Sequence, residues 1–269
     1  MLFSICTTCG TQFAEQLNPP DCCPVCDDAR QYIKPTGQQW TTLEALRLTH
    51  RNTLRQEERG LISLGVEPAF AIGQRAFFIR SWGGNVVWDC LPLLDPALAE
   101  AIMAMGGIKA LAISHPHYYS SMVEWSRALG NVPIYLHNAD RQWVMRPDPA
   151  IVFWDGETQE LGEGLTLIRC GGHFPGGTVL HWAEGAEGRG VLLTGDILQV
   201  CPERRHVSFM YSYPNYIPLG ATAVRRVAAA VEPFGFDRIY GAFRDLTIAS
   251  DGKAAVARSV ERYLKAIAE

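Results

Sequence analysis

Hydrophobic and polar residues alternate in two ways along most of the chain. Short apolar runs bounded by glycine and proline predict strands, whereas apolar residues spaced three or four positions apart predict helices. The predicted strands cover residues 61–66, 69–72, 76–80, 85–88, 108–114, 133–136, 165–170, 178–182, 190–194 and 237–240. The predicted helices cover residues 96–105, 121–129, 139–145, 221–231 and 252–268. Two rounds of β-meander followed by β/α units predict an α/β fold with two sheets sandwiched between helices.

The segment before the first predicted sheet is polar and has few periodic apolar positions. Residues 27–40 contain two adjacent aspartates, a Lys-Pro pair and a glycine, a composition typical of a linker. Thr41 is the predicted N-cap of a short helix, because Glu44 follows three residues later as in a capping box. We therefore divide the chain into residues 1–40 and residues 41–269.

Composition and charge narrow the class of protein. The 269 residues are 48% hydrophobic and 19% charged and include 25 Gly and 16 Pro, which excludes a disordered, collagen-like or coiled-coil chain. The formal net charge is −4, and the first 40 residues hold two basic against four acidic residues, which argues against nucleic acid as a partner. No run approaches the ~20 apolar residues of a membrane helix, and the first residues lack the basic start of a signal peptide. We expect a soluble, cytoplasmic protein without a membrane partner.

Five of the eight cysteines lie within the first 26 residues. Cys6 and Cys9 form one C-x-x-C pair and Cys23 and Cys26 form another, with 13 residues between the pairs. Two such turns aim four thiolates at one tetrahedral centre, a geometry that suits Zn²⁺ and also iron. The segment resembles a zinc ribbon or a rubredoxin-like knuckle pair, which implies a structural metal bound by these four residues. The adjacent Cys22 leaves open which of two neighbouring cysteines is the third ligand.

Polar residues with metal-binding chemistry follow three of the predicted strands. His115 and His117 come at the end of the strand at 108–114. His173 follows the strand at 165–170 in a glycine-rich loop, and Asp196 follows the strand at 190–194. An H-x-H pair at a strand end aims two imidazoles at one point. A third histidine and a carboxylate from neighbouring loops complete a ligand set for Zn²⁺ or Fe²⁺.

In this order and spacing, the loops resemble those of the metallo-β-lactamase fold hydrolases over residues 60–269. The family pattern has T-H-x-H-x-D-H in the first loop, a histidine before a Gly-rich turn in the second, and an apolar strand ending in G-D in the third. The residues that match its metal-binding positions are His115, His117, His173 and Asp196. Asp89, at the end of Asn-Val-Val-Trp-Asp, resembles the family aspartate that supports the metal site from behind. The resemblance implies a four-layer αββα sandwich, here with a small N-terminal zinc ribbon.

The sequence departs from the family pattern at the second metal position. Tyr119 and Ser120 replace the aspartate and final histidine of the first loop, and Ala242 replaces a histidine that follows a late glycine. A phenol ligates poorly unless it is ionised, and alanine provides no ligand. We therefore predict a single metal at the active site. Tyr119 becomes a candidate oxyanion partner, and Asp196 a candidate catalytic residue that completes the ligand set or orients the attacking water.

A second set of polar residues follows Asp196 in a stretch that contains several tyrosines. Its candidate substrate-binding residues are Arg204, Arg205, His206, Tyr211 and Tyr213. Arginine there favours a carboxylate or phosphate on the substrate. A structured surface loop without a binding role is the alternative interpretation.

These residues favour hydrolysis of an ester, thioester, lactone or related acyl bond in a small molecule. A metal held by three histidines activates water for such an attack, with Zn²⁺ or Fe²⁺ as the cofactor. His115, His173 and Asp196 alone form a 2-His-1-carboxylate set, so a mononuclear Fe(II) oxidoreductase resembling persulfide dioxygenases is the first alternative. A non-catalytic binding protein on the same scaffold is the second. The oligomeric state stays open, including a homo-oligomer that docks through the ribbon.

Overall fold

The apolar runs form the strands of two large β-sheets. A computed structural model of the protein describes residues 2–268. The strands, β1 to β19 in chain order, are Ile5–Cys6, Trp40–Thr41, Arg51–Glu58, Leu61–Glu67, Ala76–Ile79, Val86–Trp88, Ala110–Ala112, Ile134–His137, Ile151–Trp154, Thr158–Gly162, Leu165–Arg169, Thr178–Trp182, Val191–Gly195, Gln199–Val200, Val207–Ser208, Met210–Ser212, Ile217–Pro218, Arg238–Gly241 and Thr247–Ile248.

The first three helices begin where a capping residue or a proline favours the first turn. In chain order, α1 to α7 are Pro24–Asp27, Leu43–Thr49, Pro96–Ala104, Met122–Ala128, Gly185–Gly188, Ala221–Val231 and Gly252–Ala266. Two 3₁₀ turns cover Pro116–Tyr118 and Asn138–Trp143. Helix α3 shows the local rule: the Asp95 carboxylate accepts a hydrogen bond from the backbone N–H of Leu98 at 2.8 Å, and Pro96 fills the first helical position.

Each large sheet contains both parallel and antiparallel strand pairs. The first sheet has the order β3-β4-β5-β6-β7-β8-β9, antiparallel up to β6 and parallel from there on. The second has the order β10-β11-β12-β13-β18-β19, in which β13 and β18 are parallel neighbours. Three further two-stranded pairs are β1-β2, β14-β15 and β16-β17.

The two sheets pack face to face through alternate residues of their strands. On β5, Phe77 and Ile79 face the second sheet, while Phe78 faces the opposite side. On β13, Val191 and Leu193 likewise face the first sheet. Because side chains alternate along a strand, strands that are apolar at every position are buried on both faces.

Helices cover the outer face of each sheet. Leu98 and Ile102 of α3 and Trp125 of α4 pack on the outer face of the first sheet. Val224 and Val227 of α6 pack with Val256 of α7 on the outer face of the second sheet. The layers are therefore helix, sheet, sheet, helix, which confirms the predicted αββα sandwich.

Three of the predicted elements need correction. Residues 69–72 form a turn instead of a strand, closed by a hydrogen bond from Gly73 N–H to the Phe70 carbonyl at 3.1 Å. Thr42, not Thr41, caps α2, because its hydroxyl accepts from the Ala45 N–H. Residues 139–145 were expected to form a helix, and the structure has the 3₁₀ turn Asn138–Trp143 there.

Ten strands have no counterpart among the predicted elements, and four of them, β3, β9, β10 and β19, belong to the two large sheets. Strand β3 is an edge strand whose sequence, Arg-Asn-Thr-Leu-Arg-Gln-Glu-Glu, is almost entirely polar. It is held by pairing with β4 over most of its length. An edge strand with charged side chains avoids unwanted pairing with other chains. Because β3 is so polar, no pattern of apolar positions predicts it. Strands β9 and β10 are short and were also missed.

The cysteine-rich segment is packed against the main domain. Strand β1 pairs with β2, and the backbone N–H groups of Gln12 and Ala14 donate to the carbonyls of Ser120 and Met145 at 3.1 and 3.0 Å. The division at residue 40 stays a prediction, although β2 spans it. None of the helices within residues 2–268 has both the length and the apolar composition needed to cross a bilayer.

Candidate active site

Four polar side chains meet at one end of the sandwich. His115 directly precedes the 3₁₀ turn that follows β7, and His117 lies within that turn. His173 lies in the loop between β11 and β12, and Asp196 directly follows β13. The candidate ligands therefore follow the ends of β7, β11 and β13. The strand ends bring the four residues together although 80 positions separate the first from the last.

The four side chains form a compact, buried cluster. Their nitrogen and oxygen ligand atoms all lie within 4.8 Å of one another. Nε2 of His173 is 3.2 Å from Nδ1 of His117, and Nε2 of His115 is 3.2 Å from Oδ1 of Asp196. The four residues are between 1% and 6% exposed.

Two facing atoms of this cluster are left without hydrogen bonds. Among the described residues, neither His115 Nε2 nor Asp196 Oδ1 has a hydrogen-bond partner. Buried polar atoms without partners are costly and require an explanation. Three imidazoles and one carboxylate are a donor set that Zn²⁺ and Fe²⁺ accept, so these residues fit a bound divalent metal.

Burial holds the histidines in the neutral form that a metal requires. It lowers the pKa of His115 and His117 well below the usual value, with the charge of His173 as the next cause. Burial also lowers the pKa of His173, partly offset by the nearby Asp196. Burial raises the pKa of Asp196, an effect that a cation in the cluster opposes.

Asp89 supports the cluster through one intermediate residue. Its Oδ1 accepts from the backbone N–H and the hydroxyl of Ser114, at 2.8 and 2.6 Å. The same hydroxyl lies 2.9 Å from Nδ1 of His115, which leaves Nε2 turned toward the cluster. Such outer contacts fix the orientation and tautomer of a ligating imidazole.

A glycine makes room for this support. Gly195 has φ +53°, and a Cβ there would lie 2.9 Å from the Ser114 hydroxyl oxygen and 3.4 Å from a carboxylate oxygen of Asp89. A side chain at this position would displace the hydrogen-bonded pair. The Gly-Asp sequence that ends β13 therefore has a steric reason.

Tyr213 is a predicted substrate-binding residue whose side chain lies beside the cluster. Its hydroxyl donates to the backbone carbonyl of Asp196 at 2.7 Å, and its ring centroid is 5.8 Å from that of His173. Nδ1 of His173 lies 3.1 Å from the carbonyl oxygen of Met210, on β16. The segment after Asp196 therefore fixes two members of the cluster.

Other predicted substrate-binding residues lie on the surface. Arg204 and Arg205 are exposed, and Glu203 accepts from the Arg205 N–H and lies 2.7 Å from His206 Nδ1. These contacts join the residues to the acidic side chain of Glu203 rather than to the buried cluster. The alternative interpretation, a structured surface loop, describes this part of the segment.

The structure does not bring Tyr119 to the cluster. Tyr119 is buried in the core outside the first sheet and lines a small cavity with Gln12 and Met145. Its neighbour Tyr118 takes the place near the histidines instead: the ring centroids of Tyr118 and His115 are 4.4 Å apart. Burial raises the pKa of the Tyr118 phenol well above the usual value, and the charges of Asp196 and Asp89 act in the same direction. Tyr118 is the last residue of the 3₁₀ turn and Tyr119 follows it. Because consecutive residues of such a turn are rotated by about a third of a circle, the two side chains point in different directions.

Arg30, in the predicted linker, is a further residue near the cluster that the sequence pattern does not identify. Arg30 packs its guanidinium over the ring of Phe174, 4.3 Å from the centroid. The Phe174 ring in turn contacts all three imidazoles, with centroids 4.9 to 5.5 Å apart. No local pattern in residues 27–40 predicts this contact, because it joins residues more than 140 positions apart.

The ribbon contains the second group able to hold a metal. Its members are Cys6, Cys9, Cys23 and Cys26, all buried, with their ligand atoms within 4.8 Å of one another. The sulfur atoms of Cys6 and Cys26 are 3.6 Å apart, and those of Cys9 and Cys23 are 3.7 Å apart. The geometry includes Cys23 in the group, whereas Cys22 lies outside it and is partly exposed.

Comparison with known proteins identifies a family by sequence and a fold by structure. No family model matches the chain. A protein of Bacillus subtilis (strain 168), Uncharacterized protein YmaE, is 51% identical over 269 residues, which cover 99% of this chain and 97% of YmaE. The chain belongs to the YmaE family.

Solved structures similar to this YmaE family member are metallo-β-lactamases. The DIM-1 metallo-β-lactamase has a TM-score of 0.60 at 10% identity, over 81% of this chain and 98% of DIM-1. A motif mutant of the metallo-β-lactamase from Cronobacter sakazakii has a TM-score of 0.53 at 18% identity, over 80% of this chain and 95% of that enzyme. At these identities the similarity shows the fold, and the predicted metallo-β-lactamase fold is confirmed.

Proposed function

We propose that the protein is a hydrolase that uses a single metal-activated water on an ester, thioester, lactone or related acyl bond of a small molecule. The observation that carries this proposal is the buried cluster of three neutral imidazoles and one carboxylate, with facing atoms that have no hydrogen-bond partner. Structural neighbours that are metallo-β-lactamases support it at the level of the superfamily.

The residues that would hold the metal are His115, His117, His173 and Asp196. Zn²⁺ or Fe²⁺ bound there supplies Lewis acidity that makes water a nucleophile near neutral pH. Asp196 completes the ligand set and orients the attacking water, because its Oδ1 faces the imidazoles. Tyr213 holds the backbone of Asp196 in position through its hydroxyl.

In place of Tyr119, we assign the role of oxyanion partner to Tyr118. A neutral phenol beside the acyl group donates a hydrogen bond to the oxygen that gains charge during attack. The pKa of Tyr118 is raised by burial, which keeps this phenol protonated. Both tyrosines belong to the core outside the first sheet, but Tyr119 lines a small cavity with Gln12 and Met145, whereas the Tyr118 ring contacts that of His115.

A single metal is proposed because the second position lacks its ligands. Ser120 uses its hydroxyl within the core, 3.3 Å from the Gln74 amide nitrogen, and Ala242 is buried in that core. Within residues 2–268, two groups of at least three metal-binding side chains occur, the Cys₄ group and the His₃Asp cluster. We propose Zn²⁺ as the structural metal of the ribbon.

The position of His117 bears on the Fe(II) oxidoreductase alternative. A 2-His-1-carboxylate site leaves three coordination positions open for oxygen and substrate. Here His117 lies within hydrogen-bonding distance of His173, so it occupies a third protein position of the same cluster. A His₃ set with a carboxylate favours the hydrolase.

The deciding experiment compares two reactions on protein purified without added metal. Hydrolysis of a panel of esters, thioesters and lactones and O₂ consumption with persulfide substrates are measured in parallel. We expect hydrolysis without O₂ uptake. In His173→Ala, hydrolysis falls to background and the main domain binds its metal more weakly, because one of its three imidazole ligands is removed.

His181→Ala is the matched control for this variant. His181 is also a mostly buried histidine of the second sheet, but its Nε2 lies 2.7 Å from the carbonyl oxygen of Gly235, away from the cluster. It is expected to keep both metal content and activity. Metal-dependent O₂ uptake without hydrolysis would select the oxidoreductase, and full activity in His173→Ala would contradict both enzyme proposals.

A further inference from the structure

The first cysteine pair of the ribbon packs against a segment that supports the histidine cluster. Gly10, which directly follows this pair, has φ +83°, and a Cβ there would lie 2.5 Å from Cγ of Pro92. Pro92 follows Asp89 by three residues, and Asp89 orients His115 through Ser114. The position of this outer support is therefore in contact with the position of the first cysteine pair.

The ribbon also contacts the loop that carries His117. The backbone N–H of Gln12 donates to the carbonyl of Ser120 at 3.1 Å, three positions after this histidine. The Arg146 guanidinium joins the side chain of Gln12 to the carboxylate of Glu124, on helix α4 directly after the loop. The loop therefore rests on the ribbon through both its backbone and the helix that follows it.

The second cysteine pair continues into a short segment, residues 28–31, which we call the strap. It begins two residues after Cys26. The side-chain amide of Asn215 donates to two strap carbonyls at 3.1 and 2.9 Å, and the Ser212 hydroxyl donates to a third at 2.9 Å. These hydrogen bonds join the strap to the segment that follows Asp196.

That partner segment in turn holds the other two ligands. The Met210 carbonyl oxygen lies 3.1 Å from Nδ1 of His173. The Tyr213 hydroxyl donates to the backbone carbonyl of Asp196 at 2.7 Å. The second cysteine pair is thus connected to His173 and Asp196 through the strap and one further segment.

Arg30 gives the strap a second contact with the surroundings of the cluster. Its guanidinium carbon is 4.3 Å from the centroid of the Phe174 ring. That ring contacts all three imidazoles, so the strap packs on the side chain that covers them. A displaced strap would leave this ring without its outer neighbour.

These contacts need a folded ribbon, and we expect the ribbon to need its metal. Beyond the four cysteines, Phe13 and Val25 are the buried apolar residues of its core, too few to fold such a segment by burial alone. Without metal the two cysteine pairs are no longer held together. The loops that carry the cluster ligands then have more conformational freedom, and losing this freedom on metal binding lowers the affinity of the cluster.

We propose that the ribbon and the cluster bind their metals cooperatively, and that the strap transmits the coupling. Metal in the ribbon fixes the strap and the first ligand loop, which raises the affinity of the cluster for its own metal. Because coupling between two sites is reciprocal, metal in the cluster raises the affinity of the ribbon by the same factor. The Cys₄ group is then a positioning element of the candidate active site. The inference concerns metal binding and does not depend on the reaction.

The test measures the affinity of each site for Co²⁺ in the full chain. Thiolate ligands give Co²⁺ an intense charge-transfer absorption that imidazole and carboxylate ligands lack, so the two sites are followed separately as a chelator is added. Cys26→Ala should weaken the affinity of the cluster by about 5- to 150-fold, the usual range for coupling between two sites. At saturating Co²⁺ the cluster still fills. An unchanged affinity of the cluster would overturn the proposal.

Asn215→Ala tests the strap while the ribbon stays loaded. The variant removes two hydrogen bonds to the strap and leaves both ligand sets in place. The ribbon should keep its metal, while the affinity of the cluster falls about 5-fold. Added to Cys26→Ala, it should cause no further loss, because the strap is already released. An equal loss in that background would show that Asn215 acts within its own segment, contrary to the proposal.

Asn85→Ala is the matched control. The Asn85 side-chain amide also donates to two backbone carbonyls, those of Met105 and Gly107, at 3.3 and 2.9 Å. These bonds lie just before β6, whereas Asp89 follows the other end of that strand. The variant should leave the Co²⁺ affinity of both sites unchanged. A loss as large as that in Asn215→Ala would mean that any loosening of the fold weakens the cluster, and the proposed coupling would be wrong.

Discussion

The Cys₄ group of the ribbon and the His₃Asp cluster of the main domain each place four ligand atoms around one point, but they are surrounded differently. Around the cysteines the ribbon has a small core, in which Phe13 and Val25 are the further buried apolar residues. The histidine cluster is built on strand ends that are fixed by two large cores. We therefore expect the fold of the ribbon to depend on a bound metal, whereas the main domain has large cores of its own that position its ligands.

The ligands are also oriented in different ways. In the ribbon, neighbouring thiols contact each other and Gln38 donates to the sulfur of Cys6 at 3.2 Å. In the main domain, the Asp89–Ser114–His115 chain and the Met210 carbonyl orient individual imidazoles from outside. A closed Cys₄ set is typical of a structural metal, and an externally oriented histidine set is typical of a catalytic one.

The strongest test of this difference removes one thiolate. Cys26→Ala should abolish metal binding in the ribbon and unfold it, because structural zinc supplies on the order of 10 kcal/mol of binding free energy to such segments. The main domain should keep its own metal. Metal content by mass spectrometry should fall from two ions per chain to one, and limited proteolysis should cleave within the first 40 residues.

Cys22→Ala is the control for the ribbon, since Cys22 lies outside the Cys₄ group and is partly exposed. It should retain two metals. Unchanged metal content in Cys26→Ala would contradict the assignment of Cys26, and a loss in Cys22→Ala would show that the two adjacent cysteines exchange roles.

A smaller effect is expected when the outer support of the histidine cluster is removed. Ser114→Ala deletes the hydroxyl between Asp89 and His115 and leaves all four ligands in place. Metal affinity, measured by competition with a chelator, should weaken by about 10- to 100-fold, as for other outer contacts of ligating histidines.

Ser126→Ala separates this effect from a general loss of stability. Its hydroxyl is equally buried and donates to the Val132 carbonyl at 2.6 Å, within the core of the first sheet. It should destabilise the protein by about 1 kcal/mol, the usual contribution of such a bond, without changing metal affinity. Equal affinity losses in both variants would mean that Ser114 acts only through the fold.

The smallest effect concerns a buried carboxyl group of the main domain. Asp140 accepts a hydrogen bond from Gly176 N–H at 3.0 Å, and its second carboxylate oxygen has no partner among the described residues. Burial raises the pKa of Asp140 to about 6. A carboxyl whose folded-state pKa exceeds its unfolded value destabilises the fold as pH rises between the two values.

Asp140→Asn removes this ionisation and should therefore stabilise the protein more at high than at low pH. The gain over the wild type should be about 1 kcal/mol larger at about pH 7.5 than at about pH 5. Urea unfolding at the two pH values measures it, with the exposed Asp155→Asn as control. A gain that does not change with pH would show that Asp140 is ionised without penalty.

The sequence predicts those parts of the molecule that depend on local patterns. Apolar runs that break at His115, His173 and Asp196 are visible in a single chain because a buried strand must end where polar residues begin. The polar edge strand β3 carries no such signal. Tyr118, and not Tyr119, lies beside the histidines because of the rotation between consecutive residues at the 3₁₀ turn. The spacing of residues along the sequence does not determine which of the two it is.

Arg30 shows the other limit of sequence reasoning. Its surroundings in the chain are typical of a linker, and its contacts with Phe174 and Tyr211 arise only when the ribbon packs on the second half of the chain. Long-range contacts of this kind leave no periodic pattern. Arg204 and Arg205 are close to Asp196 in the sequence, but the structure places both on the surface.

Anomalous diffraction from crystals of protein purified without added metal tests the central claim directly. The ligand sets predict one peak inside the Cys₄ group and one inside the His₃Asp cluster, each surrounded by its four ligands. Energy scans across the zinc and iron edges would name each metal. Two adjacent, well-occupied peaks beside His173, or no peak between His115 and Asp196, would contradict a single-metal active site.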